Sequence, residues 1–168
     1  MLSAVQEAIM VVMVARSDDI RAQVGATWAP FRSAVAELGD GMVRPTSSGW
    51  TAKEMIAHVA FWDEAVVPVV VTMFRGHDLP HGWTFGSGDL GLSDGSWPEA
   101  DVHNAREAAW ARTRSAAEVI DRCDRAHTQL MRLIDTLSDD EVADHLQYFQ
   151  DLGSHYCEHL LEIAPAGA

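Results

Sequence analysis

The chain has 168 residues, which is typical of one domain that can bury a proper hydrophobic core. Apolar residues make up 48% of it and charged residues 22%, the composition of an ordinary soluble globular protein. The net charge of −13 argues against nucleic acid or an anionic membrane as a partner, because no basic patch could outweigh that field. Cys123 and Cys157 lack the spacing of a metal or redox pair, which favours reduced thiols in the cytoplasm.

The chain begins with a segment that we separate from the domain. Residues 1–16 are predicted to be a leading extension, whose apolar stretch is too short to span a bilayer and follows no lysine or arginine. The domain is predicted over residues 17–168. Its first helix should run from about Ser17 to about Leu38, because acidic residues occupy the first turn and apolar residues recur at helical spacing.

The second predicted helix carries a capping box in which Thr51 is followed three residues later by Glu54. We expect it to continue to about Arg75, with a kink at Pro68, which lacks a backbone donor. His58 falls on or beside its apolar face. Residues 76–98 form the longest irregular stretch, and a connection of this length allows the second and third helices to run parallel.

The third helix is predicted from about residue 98 to about residue 137, with Val102 among its inner candidates. A second capping box, Ser138 with Glu141, should open a short helix or turn. The last helix is predicted over residues 147–163 with Gly153 inside it. No alternating pattern typical of strands appears, so the fold class should be all-α, as a bundle of four helices.

Two histidines one helical turn apart, His155 and His159, are the strongest functional signal. Side chains at i and i+4 lie on one face of a helix about 6 Å apart, close enough to share one metal ion. A third imidazole, from His58, would complete a three-histidine site with an open coordination position. We expect the remaining histidines to be ordinary surface or loop residues, although one of them, His103, could approach the site: His77, His81, His103, His127 and His145.

Other interpretations of the histidines remain open. Any one of them could be a core residue with a satisfied hydrogen bond, and i,i+4 pairs also occur by chance. Residues 155–159 also match the H-x-x-E-H string of inverted zinc proteases, an interpretation that we reject because three fixed letters are a weak signal.

Three segments resemble a known family. Residues 49–63, GWTAKEMIAHVAFWD, are similar to the signature G-W-(S/T)-x-K-(E/D)-x-(I/L)-x-H-(L/V)-x-x-W-(D/E) of the DinB/YfiT-like metalloenzyme superfamily. Residues 155–160, HYCEHL, are similar to its second signature, H-Y-x-E-H-L, and residues 101–104 to the opening D-x-x-N of its third helix. The resemblance covers roughly residues 17–163 and looks closest to the ClbS/DfsB-like branch.

This resemblance implies a four-helix bundle in up-down-down-up order, with a long crossover loop between helices 2 and 3. It implies a divalent metal, zinc or nickel, on His58, His155 and His159, and a homodimer. The implied chemistry is thiol-dependent transfer or isomerisation with mycothiol, bacillithiol or glutathione as a low-molecular-weight thiol co-substrate, or hydrolytic detoxification.

The leading hypothesis is a metal-dependent enzyme of small-molecule detoxification, of the thiol transferase, isomerase or hydrolase type. Trp50 and Trp62 are candidate walls of a substrate pocket, together with Asn104 of the D-x-x-N segment, although Trp62 could simply be a core residue. Glu158 could orient a histidine, serve as a base, or face solvent. The alternatives are a protein that binds a small molecule without turnover and a structural module that carries no metal.

Overall fold

The structure, a computed structural model, describes residues 16–78 and 100–164, and within these ranges it contains helices and no strand. The prediction of an all-α chain is confirmed for this part. The expectations for the leading extension and for most of the crossover loop fall outside the described residues. The helices are α1 (Ser17–Glu37), α2 (Ala52–Phe61), α3 (Val67–Phe74), α4 (Ala100–Arg112), α5 (Ala116–Ile134), α6 (Asp139–Asp144), α7 (Leu146–Asp151) and α8 (Ser154–Ile163).

Helix α1 forms where the apolar spacing predicts it. Asp18 and Asp19 lie in its first turn, where their charge is favourable beside the positive end of the helix dipole. Its buried stripe consists of Ile20, Val24, Phe31 and Val35. After α1 the chain enters a short 3₁₀ helix, Gly39–Val43, whose first residue adopts a φ of +47°, a conformation that favours glycine.

Helices α2 and α3 form one continuous rod that is interrupted by a π-helical turn, Trp62–Val66. The predicted capping box is present: the Thr51 hydroxyl accepts from the Glu54 amide, and Glu54 accepts from the Thr51 amide at 2.6 Å. The kink predicted at Pro68 is replaced by this π-helical turn, which ends two residues before the proline. Because the proline cannot donate to the previous turn, a looser hydrogen-bond ladder is tolerated there.

The prediction of one long third helix is wrong. The chain forms two helices there, α4 and α5, and reverses direction between them. Asn104 on α4 contacts His58 and Arg112 contacts Glu54, so α4 runs antiparallel to α2. Arg122 on α5 binds Glu64, on the π-helical turn. A later residue of the rod, Arg75, hydrogen-bonds Thr136 just after α5, so α5 and the rod run in the same direction.

A capping box at the reversal explains the separate start of α5. The Ser115 hydroxyl accepts from the Glu118 amide and the Glu118 carboxylate accepts from the Ser115 amide, which favours a new helix at this point. The predicted inner face of α4 is also wrong. Val102 is 68% exposed, whereas Glu107 and Ala108 are buried.

The last predicted helix is divided into α7 and α8. Gly153 lies at the junction and is buried against α1, where a Cβ atom would lie 2.8 Å from the Thr27 hydroxyl oxygen. The close contact between α1 and α8 therefore depends on the absence of a side chain at Gly153.

The short helix α6 begins at the second predicted capping box, with Ser138 as its N-cap and Glu141 three residues later.

Helix α2 is the centre of the described fold, and it packs against α4, α5 and α8, while α1 packs on α8 and α5. Every residue of α2 except Lys53 is buried. By length and hydropathy, Ala52–Phe74 could also cross a membrane, but 72% of its most apolar window is buried inside the protein. A central core position accounts for its apolar composition.

Candidate metal centre

The structure brings His58, His155 and His159 together between α2 and α8. The Nε2 atom of His155 lies 3.1 Å from Nε2 of His58 and 3.0 Å from Nε2 of His159. One ligand atom of each residue lies within 4.8 Å of the others. Helix α8 places two of the imidazoles on one face because they are four residues apart, and α2 supplies the third from the facing helix.

Hydrogen bonds to the Nδ1 atoms of His58 and His159 determine which ring nitrogens can bind a metal ion. Nδ1 of His58 is 2.9 Å from Oδ1 of Asn104, and Nδ1 of His159 is 3.2 Å from Oε1 of Glu162. Both partner atoms are oxygen acceptors, so in each of these two rings Nδ1 carries the proton and Nε2 presents a lone pair towards the centre.

This arrangement of lone pairs fits a cation. His155 can donate at most one proton from Nε2, so it can satisfy only one of the two lone pairs that face it. A cation would satisfy all three nitrogens at once. Three imidazoles bound tetrahedrally at 2.0–2.1 Å have nitrogens ~3.3 Å apart, close to the two separations that involve His155. The donor set therefore fits a borderline divalent metal.

All three imidazoles are held in the neutral form that metal binding requires. Burial, with a contribution from His159, lowers the pKa of His58 to about 4. Burial and the two neighbouring histidines lower the pKa of His155 well below its usual value. Burial also lowers the pKa of His159, although Glu162 opposes the shift.

A buried polar network lies directly behind the centre. The Tyr156 hydroxyl donates to Oδ2 of Asp63 at 2.6 Å, and Nδ1 of His127 lies 3.0 Å from the same hydroxyl oxygen. The His127 ring stacks on Trp28 with ring centroids 4.0 Å apart. Burial raises the pKa of Asp63 to about 7, although the hydrogen bond from Tyr156 opposes the shift. His127 is half-buried, stacked on Trp28 and hydrogen-bonded within this network, so the expectation that it is an ordinary surface residue is wrong.

A cavity of about 400 Å³ adjoins the histidines and includes His155 in its wall. Trp62 and Asp63, both on the π-helical turn, form part of the wall, in keeping with the frequent occurrence of π-helical turns at functional sites. His145 also lines the cavity and stacks on Phe74 with centroids 3.7 Å apart, so it too is more than a surface residue.

The predicted pocket residues occupy different places. Trp62 lines the cavity, whereas Trp50 contacts the His58 ring edge-on at 5.4 Å between centroids and Asn104 binds its Nδ1. Glu158 is exposed at the cavity wall, and the acceptor beside His159 is Glu162.

Sequence reasoning missed Glu162 and the role of Asp63. Glu162 follows His159 by three residues, which is a helical neighbour spacing and a signal that could have been used. Asp63 follows His58 by five residues and is brought to the cavity by the π-helical turn. Cys157 is a free, exposed thiol.

Comparison with known proteins gives one positive result. Comparison with curated proteins and with solved structures found no match. The family model described as the DinB superfamily matches residues 20–164, which is most of the chain and includes all three histidines. The match agrees with the resemblance seen in residues 49–63 and 155–160, and the chain therefore belongs to the DinB superfamily.

Proposed function

We propose that this protein binds one divalent metal ion, zinc or nickel, through His58, His155 and His159, and uses it to transform a small molecule. The observation that carries the proposal is the convergence of three Nε2 atoms, two of which present lone pairs because Asn104 and Glu162 occupy the opposite nitrogens. These two residues are positioning residues, since they act through the imidazoles they contact.

The reaction that we propose is thiol transfer, thiol-dependent isomerisation or hydrolysis, by which the protein would detoxify a small molecule. A divalent metal held by neutral imidazoles supplies Lewis acidity, which activates a water or a thiol at neutral pH. The protein's own groups keep the imidazoles neutral, fix their orientation and hold the second reactant. The cavity beside His155 is the place for that reactant, because Trp62 and neighbouring apolar side chains exclude water from part of its wall.

We further propose that four helical segments form the four-helix bundle of the family in up-down-down-up order. Helix α1, the α2–α3 rod, α5 and the α7–α8 segment would be the four members. The parallel course of α5 and the rod supports this order. Helix α4 would then belong to the connection between the second and third members.

The alternative function is binding of a small molecule without turnover. It is favoured by one observation: Glu158, the acidic residue that the sequence places beside the ligands, is exposed at the cavity wall, and the carboxylate nearer the interior, Asp63, already accepts from Tyr156. Neither is positioned as an evident general base.

A turnover assay separates these functions. Metal-loaded protein would be tested with excess chromogenic aryl halide plus a panel of low-molecular-weight thiols, and separately with excess p-nitrophenyl acetate. The proposal predicts many turnovers in the wild type and in His77→Ala, which changes an exposed histidine, and a loss of activity in His155→Ala. Consumption of one equivalent and no more would favour the alternative.

A further inference from the structure

The cavity beside the three histidines has a one-sided charge distribution. Three exposed carboxylates, Asp144, Asp151 and Glu158, belong to its described wall. No lysine or arginine is present among the described lining residues. Asp151 accepts a hydrogen bond from the Gln147 amide at 3.0 Å, which leaves its charge in place. Without a metal ion on the histidines, an anion that entered this cavity would meet only charges of its own sign among the described lining residues.

The inner part of the same cavity is apolar and aromatic. Its wall there is formed by Trp62, Val67, Phe74, Leu130, Tyr148 and Leu152. A volume of about 400 Å³ is within the range of small-molecule sites, which are mostly apolar with a few well-placed polar groups. Aromatic walls beside carboxylates are also the combination that stabilises organic cations, through ring quadrupoles and charge.

Tyr148 carries an unsatisfied polar group beside the same cavity. Its side chain lines the cavity, and its hydroxyl is buried without a hydrogen-bond partner among the described residues. A buried hydroxyl without a partner is unfavourable, and such groups in folded proteins are usually satisfied by protein, water or ligand. The hydroxyl is closed to solvent in this structure, so a molecule in the cavity would reach it only after the Tyr148 side chain turns.

We propose that the cavity selects a molecule that combines an apolar body of aromatic size with a positively charged nitrogen. The identification of this molecule as the substrate rests on the proposed function, whereas the selectivity of the cavity does not. The apolar body would lie against Trp62 and Leu130, and the cationic group would face Asp151 and Glu158. A thiol co-substrate that carries carboxylates is correspondingly disfavoured in this cavity.

The test compares three probes of similar shape: benzyltrimethylammonium, benzyl alcohol and phenylmethanesulfonate. The first and last differ in charge, and neither is a strong metal ligand, so coordination does not obscure the comparison. Binding would be measured by calorimetry on the protein as purified and on His155→Ala. We expect the cation to bind about tenfold more tightly than the anion, with the alcohol between them, and the preference to shrink as ionic strength rises.

Two matched double variants identify the carboxylates responsible. Asp151→Asn with Glu158→Gln should reduce the cation preference several-fold, whereas Asp19→Asn with Glu37→Gln, which changes the net charge equally on α1, should leave it unchanged. Equal or tighter binding of the sulfonate, or an equal loss in both double variants, would overturn the proposal. If the preference for the cation persists in His155→Ala, the selectivity of the cavity is supported even where neither protein holds a metal ion. A failure of the proposed metal-dependent function can therefore be distinguished from a failure of the proposed selectivity.

Discussion

Single residues orient the histidines of the candidate metal centre through hydrogen bonds to their Nδ1 atoms. Asn104 and Glu162 each occupy an Nδ1 atom, which leaves the Nε2 atoms of His58 and His159 free to face the third ring. The His155 and His159 pair could be predicted from spacing alone. The contact between Asn104 and His58 could not, because it joins two helices whose relative placement is a tertiary property.

Replacement of Glu162 by alanine should weaken metal binding about 10- to 100-fold, the usual effect of removing an acceptor behind a metal-binding histidine. The matched control is Glu158→Ala, which removes a carboxylate from the same helix but from an exposed position. Zinc affinity would be measured by competition with a chromophoric chelator. Equal effects of the two variants would show that charge alone, and not the contact with His159, determines the affinity.

Asp63 should make the stability of the protein depend on pH. Its carboxyl has a pKa of about 7 in the folded chain and about 4 when unfolded, so the folded state binds the extra proton between these values. The free energy of unfolding should therefore contain a contribution that declines as pH rises from 4 to 7. Asp63→Asn, which keeps an oxygen acceptor for Tyr156, should remove this contribution.

The measurement for Asp63 is a series of urea unfolding curves for the wild type and Asp63→Asn between pH 5 and pH 8. The variant should gain stability relative to the wild type as pH rises, by a few kcal/mol at most. A difference that is constant with pH would contradict the raised pKa.

At the scale of elements, local signals predicted where helices begin better than where they stop. The capping boxes at Thr51 and Ser138 were identified from the sequence, and both are present. The same pattern at Ser115 was overlooked because apolar spacing continues through it, and so the reversal between α4 and α5 was missed. The π-helical turn has no simple sequence pattern, since its position follows from packing as well as from Pro68.

Gly153→Ala should destabilise the protein by about 1–3 kcal/mol, because the added Cβ would overlap the Thr27 side chain on α1. Gly25→Ala is the matched control, since a Cβ there meets no atom within 4 Å and should stabilise α1 by about 1 kcal/mol. Urea unfolding measures both. Thr27→Ala should relieve the defect of Gly153→Ala, and a defect that persists in this double variant would contradict the packing explanation.

For the whole molecule, the sequence predicted the fold class and the residues of the centre, but it did not predict the cavity. The cavity forms where the π-helical turn meets α7 and the start of α8, so residues far apart in sequence share its wall. Its acidic and aromatic character depends on which side chains meet there, and no single segment contains that information.

The pH dependence of metal binding should reflect the burial of the whole centre. Because the pKa of His58 is about 4 and that of His155 is well below its usual value, protons should compete weakly with metal at pH 6.5 and strongly near pH 4. The increase in melting temperature with added zinc should therefore persist from pH 7.5 to about 6.5 and disappear towards pH 4. An increase that is unchanged at pH 4, or that survives in His159→Ala, would indicate binding to surface carboxylates instead.

The central claim is that the three histidines hold a metal ion, and metal content measures this most directly. Untagged protein purified without a nickel column would be analysed by inductively coupled plasma mass spectrometry, beside His155→Ala and His77→Ala. We predict about one zinc or nickel ion per chain in the wild type and in His77→Ala, and almost none in His155→Ala. A wild type that stays metal-free after incubation with both ions and dialysis, or a His155→Ala variant that retains the same content, would contradict the account.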